Sequence, residues 1–166
     1  MISFKTSGLT TTGHRWISVA AILGACFVIL HLITIATTCA VVGFDWGFNA
    51  WFFDIAGFLA GAFFAIQCRE SSRKPPSEFK SGNRWICIWA LATCLVRVLD
   101  TLMLLGLVEW SEFYITPDGA VFWANFISEI IFGMSFAVTA LIGSTYLLLS
   151  SSNETTADPP TEQNDS

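Results

Sequence analysis

The stretch that decides the fold class is residues 16–42, WISVAAILGACFVILHLITIATTCAVV, which contains no Asp, Glu, Lys or Arg. At a rise of about 1.5 Å per residue, a helix of about 20 residues crosses the roughly 30 Å of bilayer hydrocarbon. This run is longer than that, and it is also longer than the apolar core of about 7–15 residues in a cleaved signal peptide. We therefore predict that it is a retained membrane-spanning helix.

Three further apolar stretches follow at about 49–68, 85–108 and 121–149. Charged residues make up 13 % of the chain, about half of the roughly 25 % that is typical of soluble domains. Each stretch is long enough to span a bilayer as a helix. The predicted fold class is an all-α membrane protein, an up-down four-helix transmembrane bundle with short loops over residues 16–149.

The remaining segments are short and polar. Residues 1–15 are predicted to form an N-terminal tail, and residues 69–84 a connector whose Pro75-Pro76 pair cannot continue a helix. Residues 150–166 are acidic and rich in Ser, Thr and Pro, so they have little to bury and are predicted to be a disordered tail.

Basic residues predict the orientation of the bundle. Two outer loops, 43–48 and 109–120, contain no Lys or Arg, whereas the 69–84 connector contains five and the N-terminal tail adds Lys5 and Arg15. The basic loops of membrane proteins face the cytoplasm. The N-terminus is therefore predicted to be cytoplasmic, and four crossings return the C-terminus to the same side. The predicted location is the plasma (inner) membrane.

Small residues at helical spacing predict the packing seams. In a bilayer, helices associate through close packing of small residues and through interhelical hydrogen bonds. Span two contains Gly57-x-x-x-Gly61, which permits close backbone approach, and Gly24 and Gly133 offer similar positions in spans one and four.

Five ionisable residues lie inside the predicted spans, and they form the candidate site. They are Arg97, Asp100, Glu129, Asp54 and His31. Intramembrane charges are costly unless they meet one another, and the i, i+3 spacing of Arg97 and Asp100 lets these two pair on one helix face. Because three carboxylates face one permanent cation, we expect at least one of them to be protonated or to hold a cation, with His31 able to take part of the charge.

Two functions remain open for such a cluster. It can fix which helix packs against which in a non-enzymatic structural, accessory or regulatory subunit. Alternatively, it can serve a small proton- or cation-coupled transporter or channel. No catalytic motif, metal-ligand spacing or cofactor motif is present, and the five cysteines form no C-x-x-C. The expected partners are the lipid bilayer and a membrane protein or a second copy of this chain, not nucleic acid.

Overall fold

The computed structural model describes the backbone of residues 3–42, 48–106 and 120–155, and the side chains of residues 7–36, 55–102, 105–106 and 127–153. Within these ranges the chain is all-helical, which confirms the predicted class of secondary structure. The helices are α1 Ser3–Val42, α2 Phe48–Ser71, α3 Lys80–Leu104 and α4 Ala120–Thr155.

Three of the described helices contain stretches that are long and apolar enough to cross a membrane. These stretches are Ser7–Ala36, Lys80–Leu102 and Ile127–Asn153. In α2 the described side chains cover only residues 55–71, fewer than the roughly 18–20 residues that a span requires. The helices are thus consistent with a membrane protein, and insertion of all four stays a prediction.

The helices pack as a bundle in which α4 contacts α1 and α3, and α1 also contacts α2. Helices α1 and α4 pack against each other in antiparallel orientation. Thr10 lies against Ser150 through their hydroxyl groups, 2.5 Å apart. Further along, Nδ1 of His31 lies 3.1 Å from Oε1 of Glu129. Helix α2 contacts α3 only slightly.

The surface of the bundle is apolar and its interior is partly polar. Large apolar side chains are exposed along the helices, among them Ile22, Ile29, Leu59, Ile88 and Leu95. Polar side chains are buried, among them Ser71, Asn83, Thr139, Ser144 and Ser150. Apolar side chains such as Ile17, Phe136 and Leu147 are buried beside them, so the interior is mixed. Soluble proteins rarely expose an apolar surface of this extent, and such a surface is expected where lipid is the solvent.

Local chemistry explains where α2 and α3 end. After Ser71 the backbone N–H of Ser72 donates to the carbonyl of Cys68 at 3.0 Å, and Pro75-Pro76 then prevents the helix from continuing. Helix α3 ends at Leu104 and is followed by Gly106 with φ of 70°. That left-handed conformation closes many helices and favours glycine.

The structure corrects three of the predicted boundaries. Residues 3–15, predicted as a tail, form the first turns of α1, because Gly13 packs against Leu147 and Thr10 meets Ser150. Residues 150–155, predicted to begin a disordered tail, continue α4, and the side chains of Ser150 and Ser151 are buried. The predicted connector over 69–84 shortens to residues 72–79, with helix on both sides. Most of the predicted outer loops, 43–48 and 109–120, and residues 156–166 of the predicted tail lie outside the described residues.

Candidate functional site

The first acid–base contact of the interior joins α1 to α4, and it becomes an ion pair when His31 is protonated. Nδ1 of His31 and Oε1 of Glu129 are 3.1 Å apart, and their side chains are only 7 % and 9 % exposed. His31 lies one turn from Phe27 and two turns from Gly24 on the buried stripe of α1. Nε2 of His31 faces α2. Gly57 of that helix is so close that a Cβ added there would lie 3.6 Å from this nitrogen.

The second ion pair lies within α3. Nη1 of Arg97 donates to Oδ2 of Asp100 at 2.9 Å, and each side chain is 16 % exposed. Thr101 adds a hydrogen bond from its hydroxyl to the carbonyl of Arg97 at 2.7 Å. The guanidinium lies against α4, since a Cβ at Gly133 would come within 2.9 Å of Nε of Arg97. Arg97 therefore faces the neighbouring helix α4, and Asp100 is mostly buried beside it.

Phe27 connects the two ion pairs. Its ring stacks on the imidazole of His31, with centroids 5.6 Å apart. Cζ of Arg97 lies 5.7 Å from the centroid of the same ring, a distance at which a guanidinium is attracted to the aromatic face. His31, Glu129, Arg97 and Asp100 thus form one group around Phe27. Asp54 belongs to α2, and its side chain lies outside the described residues.

An aromatic layer lies next to this group, toward the end of the bundle that holds the 72–79 turn. Each helix contributes one ring: Phe27, Phe64, Trp89 and Phe136. Trp89 stacks on Phe64 at 4.5 Å and contacts Phe136 at 4.8 Å, and Phe136 contacts Phe27 at 6.4 Å between centroids. Phe27 and Phe136 are buried and Phe64 and Trp89 are partly buried, so the layer packs the bundle between the ionisable group and that end.

Each predicted packing glycine faces a neighbouring helix. A Cβ at Gly24 would lie 2.7 Å from Phe136 and 2.8 Å from Cβ of Ala65, so α1, α2 and α4 meet there. A Cβ at Gly61 would lie 2.9 Å from Phe27. Gly133 faces Arg97. Gly57 is the least crowded of the four, because a Cβ there would lie at an ordinary van der Waals distance from His31.

Two features of the site were missed from the sequence. Gly143 makes the tightest backbone approach, since a Cβ there would lie 2.7 Å from the backbone nitrogen of Ile17. Gly143 and Gly133 lie ten residues apart on α4, at a spacing that the small-x-x-x-small motif does not cover. The aromatic layer was also missed, because 15 Phe and 7 Trp residues give no signal that singles out four of them.

The remaining chemistry of the described residues is sparse. No three His, Cys, Asp or Glu side chains in this part of the chain come together as a metal site would require. An open groove of about 630 Å³ lies beside α4. It is lined by Trp16, Leu141, Ile142, Thr145, Tyr146 and Leu149. None of these is an Asp, Glu, His, Lys or Arg residue, and the groove lies at least 12 residues along α4 from Glu129.

No protein-family model matches the chain, and no curated protein or solved structure matches it either.

Proposed function

We propose that this protein is a non-enzymatic, multi-pass membrane protein whose four helices cross the bilayer in an up-down bundle and which works as a structural, accessory or regulatory subunit. The observation that carries this proposal is the pairing of the interior charges. His31 meets Glu129 and Arg97 meets Asp100, so each described carboxylate of the cluster has a basic neighbour. The contact between His31 and Glu129 joins α1 to α4, and both pairs avoid the cost of isolated charges in lipid.

The connector and the aromatic layer support the same function. The described connector, residues 72–79, is too short to fold as a soluble domain. In the part of the chain that the structure describes, function is therefore left to the helices and to the surfaces that they offer a partner. Phe136 and Trp89 fill the interior beside the ion pairs, which disfavours a water-filled route through a single chain.

The Asp100→Asn variant separates this proposal from its main alternative. Loss of the carboxylate leaves Arg97 without its ionised partner, so we expect a lower yield of folded protein or weaker recovery of a partner on purification in mild detergent. The flux of protons or cations in proteoliposomes is expected to stay at the background of protein-free vesicles for the wild type and the variant alike.

A proton- or cation-coupled transporter is the second candidate. It is favoured by the four ionisable side chains that gather in the interior, since intramembrane ionisable groups commonly mark ion pathways. This candidate requires a flux in wild-type proteoliposomes that the Asp100→Asn variant loses. Such a flux would contradict the structural proposal.

The proposed orientation places both termini in the cytoplasm and the protein in the plasma membrane. It is supported by the basic residues of the 69–84 region, of which Arg69, Arg73 and Arg84 are exposed. Reporter fusions at positions 76 and 166 are expected to give cytoplasmic signals, and fusions at 45 and 114 external ones. An external signal at 76 would reverse the orientation.

A further inference from the structure

The end of the bundle at the 72–79 turn carries a dense group of cations. Residues 69–84 contain five basic residues and two acidic ones, a net charge of +3. The basic residues are Arg69, Arg73, Lys74, Lys80 and Arg84. We call this group the basic end; the first turns of α1 and the last turns of α4 reach the same end, where Thr10 meets Ser150.

Hydrogen bonds hold the turn in a defined shape. The hydroxyl of Ser72 donates to the carbonyl of Arg69 at 2.8 Å, and the backbone N–H groups of Glu78 and Phe79 donate to the carbonyl of Pro75 at 3.1 and 3.3 Å. Beneath the turn, the hydroxyl of Ser71 donates to Oδ1 of the buried Asn83 at 2.5 Å. The cations therefore extend from an ordered backbone, so less entropy is lost when they bind an anion.

One of the five cations already has an acidic neighbour within the protein. Nζ of Lys74 lies 3.1 Å from Oε2 of Glu70 and 5.3 Å from the ring centroid of Phe79. Among the described residues, Arg69, Arg73, Lys80 and Arg84 have no ion pair. The basic end thus has four cations without an acidic partner and one whose charge is partly offset by Glu70.

An apolar surface adjoins these cations on α3. Trp85 follows Arg84 and is 62 % exposed, and Ile88, Leu91 and Leu95 continue an exposed stripe one turn after another. Arg84 stands at the head of this stripe, four residues before Ile88. Positive charge directly beside an exposed apolar wall matches an amphiphile that has an anionic head and hydrocarbon chains.

We propose that the basic end binds an anionic phospholipid. The lipid phosphate lies among Arg73, Lys80 and Arg84, and the acyl chains lie along the Trp85–Leu95 stripe of α3. Basic residues at a membrane surface attract anionic headgroups, and the adjoining apolar wall selects a lipid over a free phosphate ion. The inference rests on the membrane-embedded bundle proposed above.

Tryptophan quenching by brominated lipids tests this inference on the full chain. The protein is reconstituted into phosphatidylcholine bilayers that contain either brominated phosphatidylcholine or brominated phosphatidylglycerol. The signal of Trp85 is obtained as the difference between the wild type and the Trp85→Phe variant. We expect phosphatidylglycerol to be preferred at this site by about tenfold, because several cations act together.

Lys74 provides a matched control, because Lys74→Gln and Arg84→Gln remove the same formal charge. Arg84→Gln is expected to lower the preference for phosphatidylglycerol about fivefold, while Lys74→Gln changes it less than about twofold. If the two variants lost the preference for phosphatidylglycerol equally, only the general surface potential would attract the lipid. That result would contradict a specific binding site.

Two further outcomes would also contradict the inference. Equal quenching by the two brominated lipids would show that the headgroup charge is not recognised. Loss of the preference on adding millimolar inorganic phosphate would assign the cations to a free anion. A different result would contradict the proposed membrane function itself. If the unmodified chain is soluble without lipid or detergent, both that function and this inference are wrong.

Discussion

The α1–α4 and α2–α3 contacts differ in extent, although all four helices belong to one bundle. Helices α1 and α4 stay in contact from Thr10 and Ser150 to His31 and Glu129. Helices α2 and α3 touch only slightly, with Ser71 bonded to Asn83 and Phe64 stacked on Trp89.

Glycine explains the difference between the two contacts. Gly13 and Gly24 on α1 and Gly143 on α4 all lie where a Cβ would be less than 3 Å from the other of these two helices. Close backbone approach strengthens van der Waals packing, which is the main attraction between helices in lipid. On α2 and α3 the contact is made by large rings, which keep the backbones further apart. Small residues thus determine where the bundle is tightest.

The largest expected effect comes from filling the α1–α4 contact. Gly143→Leu places a side chain where a Cβ already lies 2.7 Å from the backbone of Ile17, so the helices must separate. We expect a destabilisation of about 3 kcal/mol or more, measured as thermal unfolding in detergent by circular dichroism. Gly8→Ala is the control, since nothing lies within 4 Å of a Cβ there. Equal stability of the two variants would refute the close approach.

Breaking the interhelical ion pair is expected to have the next largest effect. Glu129→Gln removes the carboxylate that lies against His31, and side chains in direct contact couple by about 2 kcal/mol. A double-mutant cycle with His31→Gln measures the coupling between the two residues. Additive losses in the cycle would mean that the 3.1 Å contact contributes nothing to stability.

Removal of the central ring should weaken the α2–α3 contact moderately. Trp89→Leu loses the stacking on Phe64 and the contact with Phe136, at a cost of about 1.5 kcal/mol. Trp85→Leu is the matched control on the same helix, because its ring is 62 % exposed and should cost little. If Trp85→Leu lost more stability than Trp89→Leu, the packed ring would be that of Trp85.

The smallest effect is expected at the end of α2. Ser71→Ala removes the hydroxyl that donates to Asn83 at 2.5 Å, and such a bond contributes about 1 kcal/mol. Ser81→Ala, at an exposed position, should leave the unfolding temperature unchanged. If Ser71→Ala is as stable as the wild type, the α2–α3 contact does not depend on this bond.

The sequence predicts local features of this molecule better than distant ones. Arg97 and Asp100 pair as their i, i+3 spacing suggests, because that geometry belongs to any helix. The pairing of His31 with Glu129 could not be derived, since it depends on which helices become neighbours and in which register. Periodicity shows which face of a helix is polar, but it does not identify the partner of that face.

The same limit explains the corrected helix ends. Thr10, Thr11 and Thr12 have low helix propensity, which favoured a tail at the N-terminus. The helix extends through them because Thr10 and Gly13 meet α4, and tertiary contacts override propensity. Ser150 and Ser151, polar by type, continue α4 for the same reason, since both are buried.

The aromatic layer also has a consequence for how the four helices are held relative to one another. Phe27, Phe64, Trp89 and Phe136 come from four different helices, and their rings contact one another in a chain. A helix that slid along its neighbours would have to break these ring contacts, so the layer opposes axial sliding of any single helix.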